Sequence, residues 1–342
     1  MRKRIEELDA LRGIAAISVV LFHYFFRYNQ LFGHPNMDGA FFAYGKNGVE
    51  LFFIISGFVI FWSLNSIKKP LDFVVSRFSR LYPVYWIAVI LTFLFVGFFE
   101  LPGRAVDLPS FIGNFLMFHD YFDIPSVDGV YWTLKVELTF YLWILVILSL
   151  KKLHKINIII LFALILSALI HLKIIHLPRQ VKELLMFQWF ALFSIGICLY
   201  KISNKKHNTF TFVNLTLSLL ITILIFSFKS FIIYSCFTII LYLAVNNKMS
   251  FLRNKKLIFL GTISYSLYLI HQNIGYIIIR KGYQYDIHPI ISITIAIIFT
   301  IGLSFLLNKY IEKPTGKFIK KIYKLRQPTT ISKQKKSTID TL

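Results

Sequence analysis

The chain has 342 residues, 56% of them hydrophobic and 17% aromatic, with a formal net charge of +22 and a mean hydropathy of +0.65. Its apolar share exceeds that of an ordinary soluble domain, and the apolar residues fall in runs long enough to cross a bilayer, which excludes a soluble globular protein. The basic surplus gathers in alternate joining segments, as the positive-inside rule requires, so the charge predicts membrane topology and no nucleic-acid partner.

The pattern predicts an all-α, polytopic membrane protein of about ten transmembrane helices: roughly 11–31, 47–65, 81–99, 130–150, 156–173, 183–200, 210–228, 231–246, 257–279 and 289–308. The start MRKR followed by an apolar run resembles a signal peptide. The run has no small-x-small cleavage site and is long enough to span, which predicts a retained first helix. The segments Met1–Arg12, Lys68–Arg80, Lys151–Lys155, Lys201–Lys206, Lys248–Lys256 and the stretch after Lys309 are basic. The intervening ones are not, and Glu100–Asp128 carries Asp107, Asp120, Asp123 and Asp128. An even number of spans with both termini cytoplasmic follows. Residues 1–316 are expected to form the membrane domain. Residues 317–342 are expected to form a basic tail, disordered or lying on anionic lipid. Cys198 and Cys236 sit alone in apolar runs with no metal-ligand spacing, and no metal site is expected.

The first span, LRGIAAISVVLFHYFF, carries the chemistry-bearing pair Arg12 and His23. Eleven residues is about 20° from three whole helical turns, so both project from one face, roughly 16 Å apart along the axis. An ionisable group deep in a membrane helix is costly and points to function. His23 lies roughly 18 Å from the cytoplasmic edge of a ~30 Å core. In the antiparallel fourth span, YWTLKVELTFYL, Glu137 lies roughly 11 Å from the outer edge. The depths coincide, so Glu137 is expected to face His23, hold its tautomer and stabilise its imidazolium. In the ninth span, GTISYSLYLIHQ, Ser264, Tyr268 and His271 form one stripe expected to line a polar cavity. Glu50 and Ser56 of GVELFFIISGF and Trp132 at the start of the fourth span complete the expected substrate pocket. At the cytoplasmic end, Arg77 and Arg80 share a face three residues apart, set in the aromatic stretch RFSRLYPVYW. With Arg12 they offer guanidinium forks for phosphate. Coenzyme A has the matching shape: a phosphorylated nucleotide on a long thin arm ending in a thioester. An imidazole at the arm's tip is a competent catalyst of acyl transfer to a hydroxyl.

Taken in order, LDALRGIAAISVVLFH, GVELFFIISGF, RFSRLYPVYW, YWTLKVELTFYL, GTISYSLYLIH and YIEKP resemble the acyltransferase-3 family of integral membrane O-acyltransferases, from Leu8 to Pro314. The resemblance implies transfer of an acyl group, most often acetyl from acetyl-CoA, to a hydroxyl of an extracytoplasmic glycan such as lipopolysaccharide O-antigen, capsule or exopolysaccharide. It implies residence in the bacterial cytoplasmic membrane, with glycan-assembly enzymes as neighbours. It marks Arg12 and His23 as the first-helix pair and Arg77 and Arg80 as part of an arginine cluster that in relatives extends to the position of Ser76. It also marks Glu137, and Glu312 with a structural or gating role. Whether His23 acts as base or carries the acyl group stays open. Two rivals remain. One is a transporter of a sugar or lipid-linked intermediate using His and Glu as a proton relay, although the broken helices or internal repeats of such proteins are not seen. The other is a structural scaffold, which leaves the buried His and Glu without a purpose.

Overall fold

A computed structural model describes residues 5–325 of the chain. Eleven helices carry the architecture: α1 Glu6–Phe32, α2 Gly48–Leu64, α3 Pro70–Phe99, α4 Trp132–Ser149, α5 Ile156–His171, α6 Phe190–Ser203, α7 Thr209–Ile225, α8 Phe228–Val245, α9 Lys255–Gln284, α10 Pro289–Leu307 and α11 Lys313–Leu325. A helix underlies each of the ten expected spans. Among the described residues, seven segments are long and apolar enough to cross a membrane, built on α1, α2, α3, α4, α5, α8 and α10. α6 and α7 are apolar but shorter. α9 runs for 30 residues but carries buried Ser264, Ser266, His271, Gln272 and Asn273. Its polar groups face protein rather than lipid, so it forms the axis of the bundle.

Local chemistry sets the helix ends. Pro70 opens α3, where a missing N–H costs nothing. Asn208 caps α7 and Asn254 caps α9 through their side-chain oxygens. Ser227 caps α8, so the break between α7 and α8 falls at Phe226 and Ser227 rather than at Lys229. Two close crossings hold the bundle. On α1 and α9, a Cβ at Gly13 would stand 2.6 Å from the Leu257 carbonyl oxygen, and one at Gly261 would meet Asp9 O at 1.8 Å. On α2 and α6, a Cβ at Gly57 would fall 2.1 Å from Phe193 O. Small residues let these backbones touch, which drives helix association in lipid.

The connection between α3 and α4 is tied down rather than loose. Asn114 donates to Ser110 O and Pro125 O and accepts from Val127 N, while Tyr85 of α3 donates to Asn114 O at 2.6 Å. Asp128 accepts from Val130 N and Asn273 N, which pins the start of α4 to α9. The expected tail from 317 is helical as far as Leu325. That stretch is the amphipathic helix α11, packed along α3, with Tyr323 donating to Asp72 at 2.7 Å. Its basic and apolar residues segregate on opposite faces, which favours helix at a membrane interface over a disordered tail. The remainder of the expected tail lies outside the described residues.

Candidate active site

The arginine end of the site forms where α1, α2, α3, α4 and α9 surround a narrow cavity. Arg12 and Arg80 line it, with Ser56, Glu137, Tyr141, Ser264 and Tyr268. Glu137 accepts from Ser56 Oγ at 3.3 Å and from Tyr141 Oη, one helical turn along α4. Among the described residues that line the cavity, Glu137 is the one carboxylate beside two guanidinium groups. Guanidinium forks in such a wall match the geometry of phosphate oxygens. The free space is about 70 Å³. Pockets that hold organic ligands measure a few hundred cubic ångströms, so a ligand of that size enters only when the helices part.

Glu312, in a π-helical turn between α10 and α11, accepts from Ser266 Oγ at 2.7 Å and Asn308 Nδ2 at 2.8 Å. It braces α9 just behind the arginines. Pro83 interrupts the hydrogen bonding of α3 beside this cavity, and Tyr265 of α9 donates to Leu81 O at 3.1 Å.

The second half of the site is a pair of imidazoles. His23 lies at the start of a π-helical turn, Phe22–Arg27, a distortion that gathers at functional sites. Its Nδ1 is 3.1 Å from His271 Nε2 and 2.9 Å from Val19 O. His271 Nδ1 is 2.8 Å from Tyr268 O. A carbonyl oxygen only accepts, so the hydrogen-bond network assigns the proton of His271 to Nδ1 and leaves Nε2 as an acceptor. His23 Nδ1–H then donates to it, which leaves the lone pair of His23 on Nε2. That is the tautomer a general base needs.

The expected pairing of His23 with Glu137 is therefore replaced. His271 takes the orienting position, and Glu137 stands among the arginines. Glu137 lines the cavity with Arg12 and Arg80 at the arginine end and not at the level of His23, because a depth counted along each sequence ignores how far one helix is shifted along the other. The expected pocket also divides. Ser56, Ser264 and Tyr268 line the central cavity; Glu50, Trp132 and His271 do not. Trp132 instead packs on Trp189, with ring centroids 5.1 Å apart, in a separate cleft at the N-terminal end of α4. Glu50 is half-buried in the first turn of α2, with Oε2 enclosed and unbonded among the described residues. The arginine trio splits as well: Arg77 lines a separate groove between α3 and α4.

Tyr268 connects the halves. It lines the cavity, accepts a hydrogen bond from Thr133 at 2.9 Å, and its ring lies 5.6 Å from that of His271. The sequence reading missed Tyr141, although its position four residues after Glu137 was the signal. Among the described residues, no cluster of three or more His, Cys, Asp or Glu could hold a metal ion.

The family model described as "Acyltransferase domain", that of the acyltransferase-3 family, matches residues 5–309. The peptidoglycan O-acetyltransferase OatA of Listeria monocytogenes is 28% identical over 199 residues, covering 52% of this chain and 30% of that protein. The exopolysaccharide production protein ExoZ of Rhizobium meliloti is 30% identical over 33% of this chain and 37% of its own. The acyltransferase MdmB of Streptomyces mycarofaciens is 28% identical over 41% of this chain and 38% of its own. The chain thus spans about a third of the length of these relatives. No solved structure matches it.

Proposed function

The chain belongs to the acyltransferase-3 family and is a membrane acyltransferase; from that premise we propose that it moves an acyl group, most often acetyl, from acyl-CoA to a hydroxyl of an extracytoplasmic glycan. The observation that carries this reading is the division of the site along α1. A guanidinium-lined cavity lies at one end, and an imidazole with its lone pair freed lies about 16 Å further on. Arg12 and Arg80 hold the phosphates of the donor. Its pantetheine arm enters the parted cavity toward Tyr268, and His23 Nε2 takes the proton of the acceptor hydroxyl. The acceptor oxygen then attacks the thioester carbon, the carbon–sulfur bond breaks, and the thiolate leaves with the proton returned by the imidazolium.

In this reading the ten helices α1 to α10 cross the bacterial cytoplasmic membrane with both termini in the cytoplasm, supported by the alternation of basic segments. The relatives named for peptidoglycan and exopolysaccharide support a polymeric glycan acceptor. The test is loss of the acetyl-CoA thioester by purified protein, followed with and without peptidoglycan and exopolysaccharide fragments. Thioester loss only when acceptor is present, with an ester formed on it, is the expected result. Tight CoA binding with no transfer to any glycan fragment would overturn the glycan reading.

A further inference from the structure

A second cavity of about 570 Å³ lies between α3 and α4, outside the donor site, and Arg77 lines it. Arg77 is only 9% exposed, held between the rings of Phe73 and Tyr141 at 5.6 and 5.7 Å. Its Nη2 donates to Ser76 Oγ at 3.2 Å, but Nε and Nη1 are buried without a hydrogen-bond partner among the described residues. A buried guanidinium with two unmet N–H groups is costly, and the cost calls for an anion.

The rest of the groove identifies the anion's other half. Val74, Phe78, Leu142 and Leu184 line it and are 37–47% exposed, so one flank opens outward through apolar side chains. The amide-bearing arm of coenzyme A would find few polar partners there, whereas a hydrocarbon chain needs none. α11 supplies the level of the headgroups. Its packing on α3 at Ser79 and Asp72 sets its basic face, with Lys320 in electrostatic reach of Arg77, at the height of that guanidinium. An amphipathic helix of this kind lies at the boundary between headgroups and acyl chains.

We propose that the α3–α4 groove is a phospholipid site, in which the phosphate of an anionic lipid seats on the free N–H groups of Arg77 and one acyl chain fills the groove. The site does not depend on the catalytic reading. It touches it through Tyr141, which lines both cavities and donates to Glu137, so lipid occupancy steadies the wall of the donor cavity.

The experiment is binding of phosphatidylglycerol to purified full-length protein by native mass spectrometry, with CoA binding measured in parallel. Arg77→Gln is expected to weaken phosphatidylglycerol binding at least tenfold, the loss of a charge-assisted hydrogen bond, while CoA binding stays within about twofold. Arg77→Lys keeps the charge and is expected to retain part of the lipid binding. Leu142→Trp fills the groove with Arg77 in place, so it tests the site even if Arg77→Gln fails to fold, and it is expected to displace the lipid. Undiminished phosphatidylglycerol binding in both Arg77→Gln and Leu142→Trp would overturn the proposal. So would a tenfold loss of CoA binding in Arg77→Gln with lipid binding intact, which would return Arg77 to the donor site.

Discussion

Replacing His271 by Ala is the sharpest probe of the imidazole pair. The variant removes the acceptor 3.1 Å from His23 Nδ1 but leaves Val19 O at 2.9 Å. The second acceptor keeps the Nδ1 proton in place, so the reactive tautomer survives. The loss is then one neutral hydrogen bond, about 0.5–1.5 kcal/mol, and some freedom of the His23 ring. That converts to roughly a tenfold fall in kcat, with the KM for acetyl-CoA unchanged. Loss of the orienting group in a triad with no such backup costs about 10⁴-fold. His271→Gln, whose side-chain oxygen can accept from Nδ1, is expected to recover part of the rate. The assay is the initial rate of acetyl transfer by purified protein, with the thermal midpoint followed alongside. A wild-type rate in His271→Ala would refute the pairing. A variant as inactive as His23→Ala would also refute it, because His271 would then be a reacting group rather than a positioning one.

Arg80→Gln and Arg12→Gln each remove a guanidinium from the cavity wall and are expected to weaken CoA binding by about 10- to 100-fold, measured by calorimetry, with the imidazole pair untouched. Gly57→Leu forces a side chain where a Cβ would already lie 2.1 Å from Phe193 O; its thermal midpoint and membrane yield should fall sharply, whereas Gly97→Ala, with nothing within 4 Å, should leave both unchanged. His34 clamps the far end of α1, with Nε2 at 2.8 Å from Tyr24 O and Nδ1 against Tyr283 Oη. Burial lowers its pKa from 6.5, so the fold favours the neutral ring. Its contribution is full above about pH 6.5 and is lost as pH falls below it, so the thermal midpoint should drop between pH 7.5 and 5 and the drop should shrink in His34→Gln.

Hydropathy made most of the fold readable, because each apolar run must satisfy its own backbone as a helix in lipid. α9 was readable for a different reason: Ser264, Tyr268 and His271 recur at helical spacing, and that stripe is buried in the bundle. Among the described residues, seven segments have the length and apolarity of a span by themselves. α6 and α7 are short, and the polar interior of α9 lowers its hydropathy. The helix between Arg12 and His23 is regular up to Leu21, because the π-helical turn starts only at Phe22. Glu137 was misplaced because counting residues from assumed span edges fixes neither the shift of one helix along another nor its position around the bundle; packing put Glu137 beside Arg12 and Arg80, and His271 against His23. Arg77 and Arg80 share a helical face in projection, yet Tyr141 comes between their surroundings and opens one to the groove and the other to the cavity.

The central claim, a donor dock at one membrane face and an acyl-accepting imidazole site toward the other, is tested most directly by sidedness in sealed vesicles of known orientation. Labelled acetyl-CoA is confined to the Arg12 side and glycan fragments to the opposite side. Labelled ester should appear on the glycan across the membrane and should vanish in His23→Ala. Transfer only when donor and acceptor share one side, or undiminished transfer by His23→Ala, would contradict the account.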